Sequence, residues 1–128
     1  MQTYLRRDLS AGGGWHHGAM RSAYRYRATV TLHPGVDEGE PGALVTVELC
    51  GSWDHEGSCR WPHHSRLRAE GTTSSFCTIF ACDPEERDEI GGRIDRSLRS
   101  SGVADVRNSE ITDVPASDAE LAARLREA

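Results

Sequence analysis

The chain predicts an α+β domain: a mostly antiparallel four-stranded sheet, elements in the order β-β-β-α-β-α, with one main helix packed on one face. Three observations carry that prediction. Residues 24–32 alternate, with Tyr24, Tyr26, Ala28, Val30 and Leu32 on one side and Arg25, Arg27, Thr29 and Thr31 on the other, the period of a half-buried strand. Residues 76–81 are apolar on both sides, as a central strand requires. Asp83-Pro84-Glu85-Glu86 opens a run with Ile90, Ile94 and Leu98 at four-residue steps, one apolar stripe of a helix.

The first strand ends at His33-Pro34-Gly35, and the acidic, Gly- and Pro-rich residues 37–42 read as a solvated loop. Residues 43–50 alternate again, with Val45, Val47 and Leu49 against Leu44, Thr46, Glu48 and Cys50, so the reading is a second strand paired with the first in a hairpin. Arg25 and Arg27 would then face Glu48 on a solvated side. Residues 66–75 are polar and read as a loop, and the third strand follows at 76–81. Asp83 suits the N-cap, Pro84 the first helical position, and Glu86 the capping-box position. Gly102 supplies the stop. Gly91 and Gly92 weaken the helix interior by up to about 1 kcal/mol each and leave room for close approach to the sheet. Val103, Val106, Ile111 and Val114 hold no single period of two, which predicts a fourth, irregular strand with a bulge or turn near Asn108-Ser109. Ser117 with Glu120 predicts a capping box opening a short last helix.

At 128 residues the expectation is a flexible tail over 1–22, marked by Ala11-Gly12-Gly13-Gly14, and a single domain over 23–128. The net charge of −5 argues against a nucleic-acid partner, which wants a basic surface. All 15 basic residues are Arg and none is Lys, a bias that fits a high-GC bacterial codon usage. No window approaches the ~20 apolar residues of a membrane span, and no apolar run follows Arg6 and Arg7, so the expected home is cytoplasmic without membrane contact. In that setting the four cysteines do not read as a disulfide framework. Cys77 and Cys82 read as small buried hydrophobes.

The unusual residues concentrate at 50–66, which holds two of the four cysteines, three of the six histidines and two of the three tryptophans. With its Gly and Pro it reads as a loop, and three chemistries compete for it. The leading one is structural or binding: Trp53 and Trp61 pack over the open sheet, or with Arg60 bind a protein or small ligand, since Trp beside Arg fits an interaction hot spot. The second is a zinc or other transition-metal site on His55, Cys59, His63 and His64, because thiolate and imidazole are the ligands zinc prefers; Cys50 or Cys82 would be substitutes. The weakest is a Cys59 nucleophile paired with one of those histidines. An exposed sheet edge or face would also allow a homodimer.

Overall fold

The computed structural model describes residues 21–51 and 60–128. In chain order the elements are β1 (Ser22–Leu32), α1 (Glu40–Cys50), β2 (His63–Glu70), β3 (Thr73–Cys82), α2 (Arg87–Ser100), β4 (Ala104–Asp113) and α3 (Ala119–Glu127), with one-turn 3-10 helices at Pro84–Glu86 and Ala116–Asp118. The strands form one sheet in the order β2-β3-β1-β4, and every neighbouring pair is antiparallel. Each helical connection, β1 to β2 and β3 to β4, therefore steps over one strand. That is the split β-α-β, ferredoxin-like arrangement, extended by α3. The expected class, the four antiparallel strands and the main helix on the sheet all stand.

The sheet is two-faced because its central strands alternate. Tyr26, Ala28 and Val30 of β1 and Phe76, Phe80 and Cys82 of β3 point to one face and join Val45 and Leu49 of α1 with Ile90, Ile94 and Leu98 of α2 in one core. Each fully buried Ile or Leu there contributes roughly 1.5–3 kcal/mol. Thr78 is the one fully buried polar residue on that face among the described residues, and its hydroxyl is satisfied by Ser65 at 2.8 Å. On the opposite face Ile79 and Ala81 are also fully buried. Their cover is α3, which touches β3 and β1 and buries Ala122. Among the described residues only one end of that face is covered.

The second expected strand is a helix. In α1 the buried residues are Pro41, Val45 and Leu49, a spacing of four, while Val47 is 47% exposed. The two-residue and four-residue patterns share Val45 and Leu49 and differ only at Val47. The ends were written in the sequence: Pro41 in the first turn, and Gly51 at φ +77° with its N–H bonded to Val47 O at 2.9 Å, the left-handed stop that glycine adopts without strain. The expected 24–50 hairpin is absent with it. Glu48 pairs with Arg93 at 3.5 Å and Arg27 with Glu110 at 3.3 Å.

The last four residues of the expected 50–66 loop and the first half of the polar 66–75 loop are the edge strand β2. Its inward residues, His63, Ser65 and Leu67, are half-buried, while His64, Arg66 and Arg68 are exposed. Charged side chains on an edge strand discourage pairing with another sheet, and they also hid the alternation. The β2–β3 hairpin turns at Gly71 (φ +68°), flanked by the Glu70–Thr73 pair; a positive φ at the first central residue only fits a type II′ turn.

Two local expectations hold in detail. The register between β1 and β4 slips between Arg27 and Thr29, opposite Glu110 and Arg107, so β4 carries one extra residue at Asn108-Ser109, with Asn108 at φ +54°. A Cβ on Gly91 would overlap the side chain of Ile111, so the close approach of α2 to β4 needs that glycine. At the last helix the expectation fails: Ser117 sits inside the 3-10 turn, the N-cap of α3 is Asp118, and its side chain makes no cap bond because it is bonded elsewhere. Of the expected 1–22 tail, residues 1–20 lie outside the described residues.

Candidate functional site

The register brings together side chains that are far apart in sequence. On the open face, Arg66 of β2 lies opposite Cys77 of β3, which lies opposite Arg27 of β1, which lies opposite Glu110 of β4. One row toward the hairpin turn stand Arg68, Ser75, Thr29 and Arg107; one row the other way stand His64, Ile79, Arg25 and Thr112. Side chains two residues apart on a strand share a face, so Arg25 and Arg27 form one pair and Arg66 and Arg68 another, with β3 between them.

These four arginines line a concavity of about 970 Å³ with Ser75 and Cys77 on its floor and Pro115, Ser117 and Asp118 as a wall. Two carboxylates, Glu70 and Asp118, share the lining. Four guanidinium groups against two carboxylates leave a local positive excess on a chain whose net charge is −5.

The arginines are only partly used by the protein. Arg25 donates from Nε to Thr112 Oγ1 at 3.1 Å, and the Arg27–Glu110 pair is half exposed on both sides, so it contributes at most about 1 kcal/mol. Arg66 donates from Nη2 to Asp118 Oδ2 at 2.8 Å, and the Asp118 side chain is only 13% exposed. That bond raises the Arg66 pKa above its ordinary value, and it is what diverts Asp118 from capping α3. Arg68 makes no hydrogen bond or ion pair among the described residues. A guanidinium offers five donors in a planar fork matched to carboxylate and phosphate, so these bonds use only a minority of the four groups' donors.

Cys77 is a free, half-buried thiol on the floor. Burial pushes its pKa up, and the hydrogen bond and charge of Arg66 offset that only in part. Burial also pushes Cys82, on the other face, up to about 12. Neither is a ready thiolate at neutral pH.

The residues singled out at 50–66 are dispersed. Trp53, His55 and Cys59 lie outside the described residues. Trp61 packs against the core. Two guanidinium groups flank its ring, Arg60 at 4.6 Å and Arg93 at 5.0 Å from the centroid, and its Nε1–H donates to Glu86 at 3.3 Å. Arg60 pairs with Glu86 at 3.5 Å, and Glu86 also accepts the Asp83 N–H at 3.3 Å, the expected capping contact. Trp61 and Arg60 thus tie the chain entering β2 to the start of α2. His63 and His64 are consecutive strand residues, so they point to opposite faces. His63 meets Thr46 Oγ1 at 3.0 Å and Trp61 O at 3.1 Å, and His64 is exposed on the arginine face. The strand does not bring the two imidazoles to a common point. Cys50 is disulfide-bonded, so it offers no thiolate, against the expectation that the cysteines form no disulfide framework. Among the described residues no group of three or more His, Cys, Asp or Glu is placed to hold a metal ion, and no helix is long and apolar enough to cross a membrane.

Sequence reasoning took Arg25 and Arg27 as a solvated strand face and placed Arg66 and Arg68 in a loop. The signal that would have found the second pair is the alternation of His64, Arg66 and Arg68 with Ser65 and Leu67.

No family model matches the chain, and no curated protein matches it. Among solved structures the chain is similar to a de novo designed protein, Foldit4, with a TM-score of 0.46 and 15% sequence identity over 74% of this chain and 99% of that one.

Proposed function

We propose that this protein binds a small anionic ligand in the arginine-walled concavity on the open face of its sheet. The observation that carries the reading is the convergence of Arg25, Arg27, Arg66 and Arg68 around a recess of about 970 Å³. Arg is the side chain suited to planar, bidentate recognition of carboxylate and phosphate. Each charge-assisted hydrogen bond contributes roughly 1.5–3 kcal/mol when made. The face carries no Phe, Tyr or Trp among the described residues, so it lacks the stacking platform of single-strand nucleic-acid readers. The 50–66 stretch enters this reading through Arg66, while Trp61 and Arg60 are engaged in packing.

The test is calorimetric titration with citrate, and with ribitol as an uncharged control, at low ionic strength, where exposed charges are least screened. The expected outcome is saturable citrate binding, weakened at least tenfold by Arg66→Gln and abolished by added salt before the fold melts. Ribitol is expected to give no heat. Citrate heat that Arg66→Gln and Arg27→Gln both leave unchanged would remove the reading.

A further inference from the structure

The arrangement of the four arginines says more about the ligand than its sign. They stand as two pairs on the strands flanking β3. Two strand spacings separate the pairs by about 9.6 Å at the backbone, and members of a pair lie about 7 Å apart along their strand. The floor between the pairs is made of small side chains, Ser75 and Cys77, so nothing bulky divides the recess. Internal partners draw the β1 pair away from β3: Arg25 is bonded to Thr112 and Arg27 is paired with Glu110, both on β4. On the other side Arg66 is held by Asp118 and Arg68 is unengaged.

Resting on the anion-binding reading above, we propose that the ligand carries two anionic groups separated by several ångströms, one held by Arg66 and Arg68 and the other by Arg25 and Arg27. Its linker lies over Ser75 and Cys77. A compact single anion satisfies one pair and leaves the other facing solvent. A two-headed ligand satisfies both, and the second contact is made within the complex already formed by the first, which raises affinity without new surface. Asp118 shows how Arg66 meets a carboxylate, and a ligand group arriving at that guanidinium shares it or takes the place of Asp118. Arg68 is the open anchor beside it.

Dicarboxylates and bisphosphates share this chemistry, and one titration set separates them from each other and from single anions. The probes are acetate, succinate, adipate and suberate in one arm, and inorganic phosphate, fructose 6-phosphate and fructose 1,6-bisphosphate in the other. The expected result is that the best two-headed probe of at least one arm binds ten times or more tighter than the one-headed probe of that arm. Arg68→Gln, which breaks no hydrogen bond or ion pair among the described residues, and Arg27→Gln are each expected to reduce the two-headed probe to the affinity of the one-headed one. The arm with the larger gain identifies the head group. Inorganic phosphate controls for charge without separation: if it matches fructose 1,6-bisphosphate and acetate matches the longer acids, the two-headed ligand is overturned while anion binding stands. If no probe of either arm binds, citrate included, both fall.

Discussion

At the scale of single residues, a few side chains are fixed by what touches them. Gly91 and Gly92 are adjacent in α2 and share the same low helix propensity, yet their surroundings differ. A Cβ at Gly91 collides with Ile111, whereas a Cβ at Gly92 meets only the flexible end of Arg96, at 3.2 Å. Replacement by Ala gains up to about 1 kcal/mol of helix propensity at either site, but at Gly91 the overpacking costs about 1–3 kcal/mol. Gly92→Ala is therefore expected to be neutral or stabilising and Gly91→Ala destabilising, which thermal or urea melts of the two variants will check. His33 makes a different kind of prediction. Its Nε2 meets Asp105 Oδ1 at 3.0 Å and its Nδ1 meets the Gly102 carbonyl at 2.6 Å. Both partners are acceptors, so the imidazolium satisfies both, and the bonds to Asp105 and then Gly102 raise its pKa above the ordinary value. A group with a raised folded pKa contributes stability that is fully present below its unfolded pKa of about 6.5 and is lost as pH rises through the folded value. The melting-temperature gap between wild type and His33→Gln should be wider at pH 5.5 than at pH 8.5, and a gap independent of pH would refute the assignment.

At the scale of elements, the sequence was legible where one pattern excluded the others. The alternation of β1, the doubly apolar β3 and the Asp83-Pro84-Glu86 turn that leads into α2 each had a single reading. Residues 43–50 did not, because Val45 and Leu49 fit both a strand and a helix and Val47 alone separates them. In isolation its β-branched residues favour a strand. Within the fold, α1 must cross over β3 to reach the edge, and Pro41 and Gly51 punctuate it as a helix. β2 was illegible for another reason: an edge strand with one face to solvent has little apolar content to reveal it. The helical reading of α1 makes its own prediction. Val47→Glu should change stability by no more than about 0.5 kcal/mol, as exposed positions do, while Val45→Glu places a charge in the core and should prevent folding. Circular dichroism melts of the two variants decide it, and equal damage from both would restore the strand.

At the scale of the whole molecule, function follows from the difference between the two faces of one sheet. One face is closed by α1 and α2 over the aromatic and aliphatic core. Among the described residues the other is closed by α3 at one end only, and beside that cover the register collects arginines from β1 and β2 that lie about forty residues apart in the chain. No local reading of sequence shows that collection, because it depends on β3 running between the two strands. The local signal in the sequence is the tryptophan and histidine density at 50–66. Its described part serves to fasten β2 to α2: Trp61 lies between Arg60 and Arg93 and donates to Glu86. The most direct measurement is an amide nuclear magnetic resonance titration with citrate, following the backbone N–H signals of the whole chain. The account predicts that the shifts centre on Ser75 and Cys77 and extend to Arg27 and Arg66, with Trp61 and Arg93 unmoved. Shifts confined to Trp61, His63 and the start of α2, with Ser75 and Cys77 unchanged, would contradict it.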